Sequence, residues 1–119
     1  LGVGSMVAVC QKVCEGLRDD RIARATFVNV RFVKPVDTGL LDQLSKNHSL
    51  LVIVEENVKS GGFGEHVSAY MEACHPEVRV LSLAIRDHFI EHGTVDSQRV
   101  KTGVDAVEQS WADLVHNRK

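Results

Sequence analysis

Several clusters of residues in this sequence have the right types for chemistry. Glu55 and Glu56 close the apolar run Leu50-Leu51-Val52-Ile53-Val54. Two carboxyl groups can share general acid and base work when both reach one substrate. This run does not alternate and is rich in β-branched residues, which predicts a strand covered on both faces. Adjacent residues on such a strand point to opposite sides, so the two acids are a poor pair for one substrate. One is expected to turn into the crevice of the sheet or an interface, and the other to face solvent or cap a turn. Downstream lies Gly61-Gly62-Phe63-Gly64, ahead of a helical pattern. Backbone N–H groups at a helix start can hold an anion. The stretch lacks the later glycine of a dinucleotide fingerprint and the Gly-Lys-Ser/Thr of a phosphate-binding loop. The plainer reading is positive φ and close helix-to-strand packing. Gly2-Val3-Gly4-Ser5 is a weaker version of the same signal.

His88 and His92, flanked by Asp87 and Glu91, would share a face on a helix and suggest a metal or proton-transfer cluster. No third ligand is evident, and Phe89-Ile90 between them reads as an anchor in a loop, so solvated or hydrogen-bonded histidines are the plainer alternative. Arg31 and Lys34 bracket Phe32-Val33 beside a strand end. They suit a phosphate, an acidic partner, or a salt bridge within this domain or to a neighbouring one. Cys10 and Cys14 share a helical face, and Cys74 stands beside His75. The odd cysteine count and absence of further ligands favour reduced core thiols over a metal site. Spacing alone supports no Ser-His-Asp or Cys-His arrangement.

These residues need a scaffold. Met6, Val7, Val9, Cys10, Val13, Cys14 and Leu17 recur at three and four, predicting a helix from Ser5 to about Arg18 with Ser5 as N-cap. Leu1 to Val3 is what remains of a preceding strand, so a fragment cut close to or inside that strand is expected. Ala25 to Val30 reads as a second strand running toward Phe32, ended by Pro35. Asp37 or Thr38 caps a short helix through Leu40, Leu41 and Leu44. The buried strand at Leu50 follows, then a helix through Val67, Tyr70, Met71 and Cys74, stopped by Pro76. Val78 to Leu83 reads as a strand near the sheet edge, Asp87 to Gly93 as a loop, and Asp96 to Lys101 as a brief helix. Val104 to His116 reads as a final amphipathic helix with a frayed tail. Alternation of this kind predicts a three-layer α/β/α domain. Its sheet of about four to five strands is expected to be mostly parallel (mixed), and residues 1–119 are expected to form a single domain.

Composition narrows the partners. A net charge of −2 gives no bulk attraction to nucleic acid or anionic membrane. One Trp, one Tyr and four Phe provide no stacking platform for bases. No apolar run approaches the roughly 20 residues that span a bilayer, and no secretory signal is visible.

Several of these stretches together resemble a known family. They are Val30-Arg31-Phe32-Val33-Lys34-Pro35-Val36-Asp37, Val54-Glu55-Glu56-Asn57, Gly61-Gly62-Phe63-Gly64 and Asp87-His88-Phe89-Ile90-Glu91-His92-Gly93. In order and spacing they look like the C-terminal domain of the 1-deoxy-D-xylulose-5-phosphate synthases. Gly4-Ser5-Met6-Val7 and Gly103-Val104-Asp105-Ala106 fit as well. Val36 stands where the family usually has Leu, Arg86 where it has Pro, and His88 where Arg or Phe is common. The resemblance implies a transketolase-like fold and an intact enzyme that condenses pyruvate with glyceraldehyde 3-phosphate. Such an enzyme uses thiamine diphosphate and Mg2+, serves isoprenoid, thiamine and pyridoxal synthesis, and acts in the bacterial cytoplasm, or in the plastid if from a plant. It implies that this domain supplies packing and a homodimer interface, that its partners are the enzyme's other domains and a second subunit, and that catalytic, cofactor and metal residues lie elsewhere. Arg31, Lys34, Glu55, Glu56, Gly61, Gly62, Gly64 and His92 are then its candidate interface or anion contacts. The related alternatives are a transketolase, a 2-oxoacid dehydrogenase β subunit, or a free-standing anion-binding module.

Overall fold

A computed structural model of the protein describes residues 1–19, 24–85 and 89–102. Four strands, β1 (Gly2–Val3), β2 (Asn29–Val30), β3 (Leu50–Val58) and β4 (Arg79–Ile85), form one sheet in the order β2-β1-β3-β4. Every described pairing is parallel. Parallel neighbours need crossovers, and helices supply them: α1 (Val7–Asp19), α2 (Thr38–Ser45) and α3 (Phe63–Cys74). A fourth helix, α4 (Val95–Thr102), follows β4.

The period of β3 sorts the core into two layers. Leu51 and Ile53 face Leu41, Leu44, Phe63, Val67 and Met71, which come from α2 and α3. Val52 and Val54 face Met6, Cys10, Val13 and Leu17 beside α1. A run without alternation is what a strand needs when both its faces are covered. Backbone bonds thread β1 between its neighbours: Gly2 N donates to Val28 O at 3.0 Å, and Val54 N donates to Leu1 O at 2.9 Å. Cys10 and Cys14 are buried and free, as core thiols, whereas Cys74 is exposed.

Two expectations need correction. The second strand is paired only over Asn29–Val30, not from Ala25 toward Phe32. Its ladder is limited by β1, which offers only two paired residues. Ser5 is not the N-cap of a helix. Gly4, at φ 57°, turns the chain into a 3-10 turn over Gly4–Met6 that contains Ser5, and the α-helix begins at Val7. Asp37 takes its expected place as the cap of α2. Asp37 Oδ1 accepts from Leu40 N at 2.9 Å, and α4 covers the expected Asp96–Lys101 with Thr94 Oγ1 accepting from Ser97 N at 3.2 Å. The expected helix over 104–116 and its tail lie outside the described residues, as do Asp87 and His88.

Candidate functional site

In doubly wound sheets, ligands gather at the carboxyl ends of the strands where strand order reverses. Here that place lies between β1 and β3. Both acids of the sequence reading stand there, inside β3 and on opposite faces. Glu55 continues the Leu51–Ile53 side and is wholly buried. Its Oε2 accepts from Phe63 N at 3.0 Å and its Oε1 from Gly64 N at 2.9 Å. Asn57 Nδ2 donates to Oε2 at 3.2 Å. The carboxyl group thus caps α3 from the sheet below, where the helix dipole favours negative charge.

The glycines are the counterpart of that cap. Gly61 alone of the turn needs positive φ, at 74°, and its N–H donates to Glu65. A Cβ on Gly62 would lie 2.8 Å from both Glu55 Oε1 and Val58 O. A Cβ on Gly64 would run into Ser82 Oγ and lie 3.0 Å from Ser82 Cβ. Ser82, which interrupts the apolar face of β4 in the sequence, is therefore the small residue that lets α3 approach. Its buried hydroxyl has no hydrogen-bond partner among the described residues.

Glu56 continues the Val52–Val54 side. Ser5 donates to its Oε2 and Arg99 Nε donates to its Oε1. These contacts tie the 3-10 turn ahead of α1 and the middle of α4 across the reversal point. Arg99 foremost, and Ser5 after it, hold the Glu56 carboxyl below its ordinary value. The two acids therefore do not act on one site.

Arg31 and Lys34 are exposed at the start of the loop between β2 and α2. Beside them lies a cleft of about 570 Å3, with an apolar wall of Val30, Val36, Leu41 and Phe63. His92 is exposed on the approach to α4. Among the described residues, no three His, Cys, Asp or Glu side chains gather as a metal site, and no helix is long and apolar enough to cross a membrane. The turn at Gly61–Gly64 does not fit a diphosphate, because Glu55 already takes the Phe63 and Gly64 N–H groups and places its own carboxyl there.

A cluster that the sequence reading missed lies at the far end of α3. Asp42 Oδ1 accepts from Tyr70 Oη at 2.8 Å and sits 2.7 Å from His75 Nε2. The bond to His75, then that to Tyr70, pulls the Asp42 carboxyl below its ordinary value. The same bond pushes the Tyr70 phenol up to about 12. A signal was present in the lone acid next to Leu41 and Leu44 on α2, but nothing in the sequence pairs it with α3.

Residues 1–108 match the family model described as the transketolase C-terminal domain. A 1-deoxy-D-xylulose-5-phosphate synthase of Lachnoclostridium phytofermentans is 42% identical over 107 residues, which is 89% of this chain and 17% of that protein. The synthase of Idiomarina loihiensis is 48% identical over 93 residues, 76% of this chain and 15% of that protein. A solved structure titled as a split-gene transketolase, an inactive β4 tetramer, superposes with a TM-score of 0.79 at 27% identity. It covers 92% of this chain and 37% of its own. The chain thus spans less than a fifth of the length of these curated relatives.

Proposed function

The chain belongs to the transketolase C-terminal domain family, and from that premise we propose that it is the C-terminal domain of a 1-deoxy-D-xylulose-5-phosphate synthase. The observation that carries the reading is the 42% identity to such a synthase over 107 residues. In this reading residues 1–119 are one domain of a transketolase-type transferase that works as a homodimer in the bacterial cytoplasm. The intact enzyme joins pyruvate to glyceraldehyde 3-phosphate, releases carbon dioxide and feeds isoprenoid and thiamine synthesis. Thiamine diphosphate supplies the carbanion chemistry when bound with Mg2+, and its cradle lies in the preceding part of the polypeptide.

This domain's own task is positional. Glu55 fixes α3 on the sheet, and Glu56 ties the 3-10 turn before α1 to α4. That supports a domain whose polar residues hold elements in place. The transketolase and 2-oxoacid dehydrogenase alternatives share the strand, the acids and the glycine turn, but the named relatives favour the synthase. The test is an assay of the intact polypeptide with pyruvate and glyceraldehyde 3-phosphate. Formation of 1-deoxy-D-xylulose 5-phosphate with carbon dioxide release is expected. Ketol transfer between sugar phosphates, with pyruvate left untouched, would overturn the assignment.

A further inference from the structure

One exposed surface among the described residues joins apolar and cationic side chains on the loop that leaves β2. Phe32 is 76% exposed and Val33 38%, and the pair is bracketed by exposed Arg31 and Lys34. No carboxylate among the described residues pairs with either cation. The loop also forms the rim of the cleft beside α2, whose wall includes Val30, Val36, Leu41 and Phe63. A protruding aromatic ring, an adjacent apolar recess and two flanking cations form a knob beside a socket with a positive rim. Buried aromatic anchors with charged neighbours are what carry binding energy at protein interfaces.

We propose that this loop and cleft dock a carboxylate-bearing, apolar-centred surface of the preceding part of the same polypeptide. The inference rests on the proposed function and adds the face by which the domain is seated. Three observations select that occupant. Charge complementarity requires acidic groups opposite Arg31 and Lys34. A second copy meeting it loop to loop at a two-fold axis would bring four cations together, which like-charge repulsion disfavours. In the longer enzyme of that reading, the polypeptide joins at Leu1, which itself lines the cleft, so the preceding region is held at high local concentration beside this surface.

The test uses the intact enzyme. A carbodiimide joins amines to carboxyl groups only when they touch, and mixing isotopically light and heavy enzyme separates links within one chain from links between copies. The expected product is a peptide containing Lys34 joined to an acidic peptide from upstream of Leu1 in the same chain. The variant R31E/K34E should abolish that link, and Phe32→Ser should speed limited proteolysis upstream of Leu1 by about tenfold. Lys34→Arg should lose the link but keep wild-type proteolysis. A Lys34 link between copies would overturn the proposal in favour of a second subunit. A Lys34 that joins only residues 1–119, or joins nothing and remains open to acetylation, would overturn it altogether. Synthase activity measured on the same sample separates the two claims. An active enzyme without the link sinks this docking face alone, and an inactive one with the link sinks the functional assignment alone.

Discussion

The two sides of β3 treat a carboxyl group differently. On the α3 side, Glu55 is wholly buried and two of its donors are main-chain N–H groups of a helix. On the α1 and α4 side, Glu56 is partly exposed and its donors are the side chains of Ser5 and Arg99. Two residues adjacent in sequence thus serve a fixed and an adjustable junction. A buried acceptor that satisfies backbone donors cannot be removed without leaving those donors unpaired. A partly exposed ion pair exchanges its partners for water and ions at little cost.

This contrast predicts a steep ranking of variants. Glu55→Ala should cost on the order of 4 kcal/mol, because it orphans two buried N–H groups and opens a cavity. Glu55→Gln, which keeps one acceptor, should fall well short of that. Gly64→Ala should cost about 3 kcal/mol, since the new methyl meets Ser82 on β4 rather than a flexible side-chain tip. Glu56→Gln should cost less than about 1 kcal/mol once solvent screening is allowed for. Urea melts on the folded chain give all four values. Equal costs at positions 55 and 56 would erase the distinction between the junctions.

The acid limb sharpens the same comparison. The folded-state pKa of Glu56 lies below its ordinary 4.5 and that of Asp42 below its ordinary 3.8. Each contribution is therefore fully present above the ordinary value and is lost as pH falls through the lowered one. Glu56→Gln should flatten the fall in stability below that point, while high salt should weaken the Glu56 contribution in the parent chain. The smallest effect is spectroscopic. Tyr70 is the only tyrosine, so phenolate absorbance reports it alone. Its titration should centre near 12 rather than the ordinary 10, and Asp42→Asn should bring it back down. The associated stability is complete below the ordinary value and lost as pH rises through the raised one.

Much of this architecture was legible in the sequence because it rests on local patterns. The non-alternating run at Leu50 announced the covered central strand, and the spacing of Val67, Tyr70, Met71 and Cys74 announced α3. Opposite orientation of Glu55 and Glu56 followed from strand geometry alone. What stayed hidden depends on contacts between distant segments. Ser5 reads as a helix cap from its neighbours, yet its hydroxyl serves Glu56 from another strand. The Asp42–Tyr70–His75 cluster joins two helices whose approach no periodicity encodes. The glycine turn was ambiguous for a similar reason, since an anion site and a site filled by the protein's own carboxyl group have the same sequence signature. Only the position of Glu55 under Phe63 and Gly64 separates them.

Glu55 fills the start of α3 with the protein's own carboxyl group, which leaves no place there for a diphosphate. Isothermal titration of the folded 119-residue chain with thiamine diphosphate and Mg2+ tests it most directly. No saturable heat is expected, because Glu55 already occupies the start of α3. Stoichiometric, tight binding to this chain would contradict it.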